Sequence, residues 1–201
     1  MLRSLLCVLL LVFLTACSSN SNPTNTQIPP TVTPTPDLTL EEELVYSALL
    51  QKNFSADLYV LMNKTQTDIT GLADEQTYQH VNETLTELEP ETLADFKKQN
   101  DVSHTLKTSM ILGSRYILFS LEDMQGLFGE NQNGWDIFYT RYPEAPGIIT
   151  VSKVGFNLAA DQALVYLGIQ SHWLAGSGTY FLLVKKDGVW EIDQSVMTWI
   201  S

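Results

Sequence analysis

Apolar positions along the chain fall into three regimes. From Leu5 to Leu14 ten residues run almost without a polar break behind Arg3. From Leu38 the pattern turns helical. Leu40, Leu44, Val45, Ala48 and Leu49 follow i, i+3, i+4 spacing, and Thr39-Leu40-Glu41-Glu42 fits a capping box with Glu42 reaching back to the cap. The spacing predicts a helix over about 40–53. Ala56, Leu58, Val60 and Met62 then alternate, with Tyr59 and Leu61 on the other face, which predicts a strand ending by Thr67. Residues 72–100 are polar and acidic, with a short amphipathic helix that Pro90 opens and Leu93, Ala94 and Phe96 line. Tyr116 to Leu121 reads as a strand. Gln132 to Tyr142 reads as a helix whose Trp135, Phe138, Tyr139 and Tyr142 form a core stripe.

The C-terminal third is β-rich. Gly147 to Phe156, Gln162 to Gln170, Thr179 to Lys186 and Val189 to Trp199 are strand-like runs between turn signals. Asp187-Gly188 is the strongest of these, since the two residues supply the positive φ angles of a type I′ hairpin. Four consecutive strands with short links imply an antiparallel meander with the helices packed on one face, an α+β fold.

Residues 18–37 contain five prolines, no aromatic side chain and little besides Ser, Thr and Asn. Such a composition buries too little apolar area to offset chain entropy, so an extended spacer is expected, with a reach of at most about 60 Å. The expected organisation is a leader over 1–16, a spacer over 17–37 and one domain over 38–201. A core of 164 residues is large enough to fold alone.

The leader has the positive start, short apolar run and small-residue end of a secretory signal, and is too short to span a bilayer. Its last residues and the next, Leu14-Thr15-Ala16-Cys17, resemble the lipobox of bacterial lipoproteins. The resemblance implies cleavage before Cys17, a diacylglycerol thioether on that cysteine and a further acyl chain on its amino group. Two acyl chains hold a bilayer stably, at roughly 0.8 kcal/mol per buried methylene. It further implies a cell-envelope location outside the cytoplasm, on the outer leaflet of the cell membrane, or in the outer membrane of a bacterium that has two. The segments Val154-Gly155-Phe156-Asn157, Gln162 to Gly168, Gly176 to Leu183 and Asp187-Gly188-Val189-Trp190-Glu191-Ile192 are similar to the C-terminal half of uncharacterised bacterial lipoprotein domains. Helices followed by a curved meander also resemble cystatin-like or NTF2-like folds. Neither resemblance brings an activity.

Charge and cysteine content narrow the partners. The chain has 11 basic and 23 acidic residues, a net −12, and losing Arg3 with the leader deepens it by one unit. Nucleic-acid binding needs clustered Lys and Arg, so no nucleic-acid partner is expected. Cys7 leaves with the leader and Cys17 is consumed by lipid. The folded part therefore has no disulfide-linked partner and no thiolate metal site.

Recognisable chemistry is scarce. His80, His104 and His172 share no metal-ligand spacing, and no cofactor is expected. Ser177 between Gly176 and Gly178 lacks the G-x-S-x-G elbow of a nucleophile. A bend or bulge explains the glycines better. Candidate ligand contacts are His172 and Trp173, in the connection between two strands, and Tyr166 and Tyr180 on the sheet. The expected function is a non-enzymatic binding or envelope-assembly module for an unidentified envelope protein or small ligand. The competing reading is a hydrolase of an envelope or extracellular polymer, which requires a deep pocket joining His172 or an acid pair to Tyr or Trp side chains.

Overall fold

The computed structural model describes residues 38–67, 74–129 and 133–201. The expected leader, the spacer and Cys17 lie outside the described residues. Among the described residues, five helices and seven strands follow in the order α1 (Leu38–Asn53), β1 (Leu58–Met62), α2 (Glu75–Thr84), α3 (Pro90–Gln99), β2 (Arg115–Phe119), α4 (Leu121–Phe128), α5 (Gly134–Arg141), β3 (Ile148–Val151), β4 (Gly155–Phe156), β5 (Gln162–His172), β6 (Ala175–Lys186) and β7 (Val189–Ile200). With helices concentrated N-terminally and strands C-terminally, the fold is α+β, as the patterning implies.

One sheet holds all seven strands in the order β2-β1-β3-β5-β6-β7, with β4 paired to part of β5. The meander is confined to β5, β6 and β7. The other half is mixed, because β1 runs parallel to both β2 and β3, and β3 meets β5 antiparallel. The expected single strand over 147–156 is two, β3 and β4. They are separated where the buried Ser152 turns its hydroxyl to accept from the Tyr166 N–H at 2.9 Å.

Helices cover both faces of the sheet, not one. Odd-numbered residues of β5 (Ala163, Val165, Leu167) join Tyr59, Leu61, Ile149 and Val151 under Val45, Tyr46, Leu49 and Leu50 of α1. Even-numbered Leu164 and Tyr166 pack with Tyr78 and Val81 of α2 and Phe96 of α3. On that same face, Val60, Phe119 and Ile148 pack against Leu127 of α4 and Trp135 and Phe138 of α5. The strand register fixes two poles. β1, β2 and β3 end at the pole where β5 begins and the β6–β7 hairpin turns. They begin at the pole where the β5–β6 hairpin turns.

Helix α1 is pinned across its face by three consecutive acids that a dipole argument alone treats as one group. Glu41 accepts from Lys185 Nζ at 2.6 Å and from the buried Trp190 Nε1 at 2.8 Å. Glu42 meets Lys153 Nζ and accepts from Tyr46 Oη, which also donates to Ser152 O at 2.7 Å. Glu43 accepts from the Ile111 N–H at 3.4 Å and lies 3.8 Å from Lys107 Nζ. Helix α3 is attached differently. Its Asp95 accepts from the Phe156 N–H at 2.9 Å, and Asn100 exchanges two bonds with the backbone of Lys153. These side chains supply the backbone of 153–156 with partners that a further strand would otherwise offer. The helix can come this close because Gly155 lies beneath it: a Cβ there would sit 2.4 Å from Phe96 Cα.

Three outcomes test this account by urea denaturation. Glu41→Ala should cost about 2 kcal/mol, because it strands a half-buried lysine and the buried Trp190 indole. Glu75→Ala, which breaks an exposed pair with Lys97, should cost less than about 0.5 kcal/mol. Gly155→Ala should cost roughly 2–3 kcal/mol by forcing α3 off the sheet.

Candidate functional site

The four candidate contact residues separate into two places. Tyr166 and Tyr180 are cross-strand partners in β5 and β6, their rings 5.2 Å apart, both fully buried beneath α2 and α3. They pack the interior and line no described cavity. Tyr180 also meets the Phe96 ring at 5.6 Å. The Tyr166 hydroxyl accepts from Trp199 Nε1 at 2.8 Å, and Gly178 makes room for that bond, since a Cβ there would lie 2.0 Å from the indole nitrogen. The expected bulge is present beside it: between Gly178 and Thr179 the register against β7 shifts by one residue. Ser177 lies within the β6 ladder opposite Ile200, with no strand-to-helix elbow.

His172 and Trp173 lie at the opposite end of the hairpin, about 20 Å along β5 from Tyr166 at roughly 3.3 Å per residue. The connection is far shorter than the sequence suggests. β5 continues to His172 and β6 starts at Ala175, leaving Trp173 and Leu174 as a two-residue turn. Two-residue turns favour Gly, Asn or Asp because they commonly require positive φ. The Asp187-Gly188 hairpin obeys that rule, with φ of 50° and 83°. Trp173 and Leu174 do not have positive φ, and turn geometry gives no reason for two large apolar residues here.

What holds this tip is a shelf of aromatic residues on α4 and α5. The His172 ring stacks on Trp135 at 6.2 Å and 22°, and Trp173 meets Phe128 edge-on at 5.6 Å. Trp135 also stacks on Tyr139 at 5.9 Å. The Tyr139 hydroxyl donates to Ser171 O at 2.9 Å, locking α5 to the end of β5, and burial raises its pKa. The stripe of Trp135, Phe138, Tyr139 and Tyr142 is therefore core along one side and shelf along the other. Trp173 remains 46 % exposed and Leu174 83 % exposed. Helix α4, which carries Phe128, is an element the hydrophobic pattern misses. Its signal was Ser120-Leu121-Glu122-Asp123, a capping box in which Ser120 and Asp123 bond reciprocally, and those bonds hold the Asp123 carboxyl below its ordinary pKa.

Histidines elsewhere have local roles. His80 lies on the exposed side of α2, and His104 joins the loop at Gln99 while its N–H donates to Thr65 Oγ1. Among the described residues no group of three or more His, Cys, Asp or Glu could hold a metal ion. A concavity of about 780 Å³ lies away from His172. It runs along the outer edge of β2, lined by residues 115–118, Arg141, Tyr142, Pro143 and Glu144 among others. Sequence reasoning missed this groove because strand order is not encoded locally.

No family model, curated protein or solved structure matches this chain.

The buried tyrosines give a pH dependence. Desolvation raises the pKa of Tyr46, Tyr166 and Tyr180 above the ordinary 10.0, the Trp199 hydrogen bond offsetting part of the rise at Tyr166. The folded state thus favours neutral phenols. Its stability from these groups is present below about pH 10 and is lost as pH rises past that value. The urea midpoint should fall between pH 8 and pH 11.5, and Tyr180→Phe should narrow the difference. Equal midpoints at the two pH values would refute the assignment.

Proposed function

We propose that this chain is a lipid-anchored protein of the bacterial cell envelope, held outside the cytoplasm through Cys17, that binds a partner through the hairpin tip at Trp173-Leu174. Support for the anchor comes from the leader, the Leu14-Thr15-Ala16-Cys17 run and the proline-rich spacer. No described helix is long and apolar enough to cross a membrane. The observation that carries the binding role is the tip itself. Two large apolar side chains occupy a turn that does not need them, beside ordered aromatic rings, at the expense of apolar area left in water.

Burial of Tyr166 and Tyr180 in the core, and a groove that lies away from His172, support binding over hydrolysis.

Anchor and tip are tested separately. Cys17→Ala should leave an uncleaved precursor that takes up no labelled palmitate. A processed protein that still partitions with membranes would sink the anchor. A photocrosslinking residue at Leu174 should give one discrete adduct in the cell envelope, absent with the probe at Leu158, which is 92 % exposed at the other pole. The same adducts from both positions, or none from Leu174, would remove the binding assignment.

A further inference from the structure

The two edges of the sheet are built in opposite ways. β7 is long and blunted. Its ladder with β6 shifts register twice, between Gly178 and Thr179 and between Leu182 and Leu183, and exposed Glu191 and Asp193 lie along it. Bulges and charges are the usual devices against adding another strand. β2 has no bulge, since its register against β1 is unbroken over all five residues, and its one charged residue, Arg115, is at its start.

The outward groups of β2 follow from one bond. Phe119 O accepts from the Asn63 N–H at 2.8 Å, so the polar groups of Phe119 point inward along the β1 side. Alternation then turns those of Ile117 and Arg115 the same way and directs the N–H and C=O of Tyr116 and Leu118 outward. They lie at the groove of about 780 Å³, which residues 115–118 line together with Thr108, Ser114, Tyr142, Pro143 and Glu144 among others. Five strand residues correspond to about 17 Å of extended chain.

Charge at the groove differs from that of the rest of the molecule. Arg115 is already paired with Glu144 at 2.5 Å. Arg141, which also lines the groove, has no ion-pair partner within 4 Å among the described residues, although it acts electrostatically on Asp123. An arginine beside an open strand edge favours a carboxylate-bearing segment. The net −12 of the whole chain disfavours a second copy as the occupant.

We infer that the outer edge of β2 binds an extended segment of a partner polypeptide by strand addition, through Tyr116 and Leu118, with a carboxylate of that segment meeting Arg141. Backbone bonds supply the docking and the arginine selects for acidic side chains. The site is separate from the hairpin tip and does not require the lipid anchor.

The test titrates the full chain, in detergent micelles, with a fluorescent six-residue peptide alternating Val and Glu. Its Val and Lys counterpart and an alternately N-methylated Glu peptide serve as controls, and NMR follows amide hydrogen exchange. The Glu peptide should bind saturably, at least tenfold tighter than either control. It should slow exchange at Tyr116 and Leu118 at least tenfold while leaving β7 unchanged. Arg141→Glu should weaken the Glu peptide at least tenfold and strengthen the Lys peptide. The proposal is overturned by no binding of the Glu peptide, by equal binding of the three peptides, or by protection elsewhere than β2. Protection of the same amides on self-association, without peptide, would assign the edge to a second copy and overturn it equally.

Discussion

A strand whose residues are buried without interruption has to be covered on both faces, and β5 is such a strand from Gln162 to Gly168. Everything around it answers that demand. α1 closes one side, α2 and α3 close the other, and β3, β4 and β6 satisfy its backbone along both edges. The first residue of the strand, Gln162, is polar and buried. It is satisfied because its Oε1 accepts from the Glu89 N–H and Thr92 Oγ1 while its Nε2 donates to Glu87 O, each at 2.8 Å. The same side chain therefore fixes the start of α3. Sheet and helices are specified together at this point, and neither has an independent reason to stop where it does.

A second theme is the use of side chains as substitutes for backbone. Asp95 and Asn100 serve the strand segment at 153–156, Ser152 Oγ accepts from the Tyr166 N–H, and Asn157 Oδ1 accepts from the N–H groups of Asp161 and Gln162. Short irregular strands can thus be buried without orphaned polar groups. The bonds of Asp95 and Asn100 tie α3 to the β3–β4 break.

How far the sequence foretells this depends on the range of the determining contact. Helices α1 and α3, the hairpin at Asp187-Gly188 and the three-strand meander are set by neighbours within a few residues, so periodicity finds them. The two-faced burial was also legible, in the unbroken run Ala163-Leu164-Val165-Tyr166-Leu167, which contradicts the alternation of a strand with one wet face. Helix α4 was legible only through its cap. The parallel pairing of β1 with β2 and β3 was not, because it joins segments separated by intervening helices. The fates of the candidate site residues divide along the same line. Tyr166 and Tyr180 belong to the core through partners on α2 and α3, and the shelf beneath His172 and Trp173 exists only because α4 and α5 fold back to that pole.

The bond between Glu41 and Trp190 joins residues 149 positions apart, the first helix to the last hairpin. Helix α1 and the β6–β7 hairpin therefore anchor one another, and loosening either end of the fold removes a partner from the other. Ser201, which exchanges backbone bonds with Gly176, fastens the same hairpin at its far end, so the last residue of the chain braces the first helix through the whole length of β7.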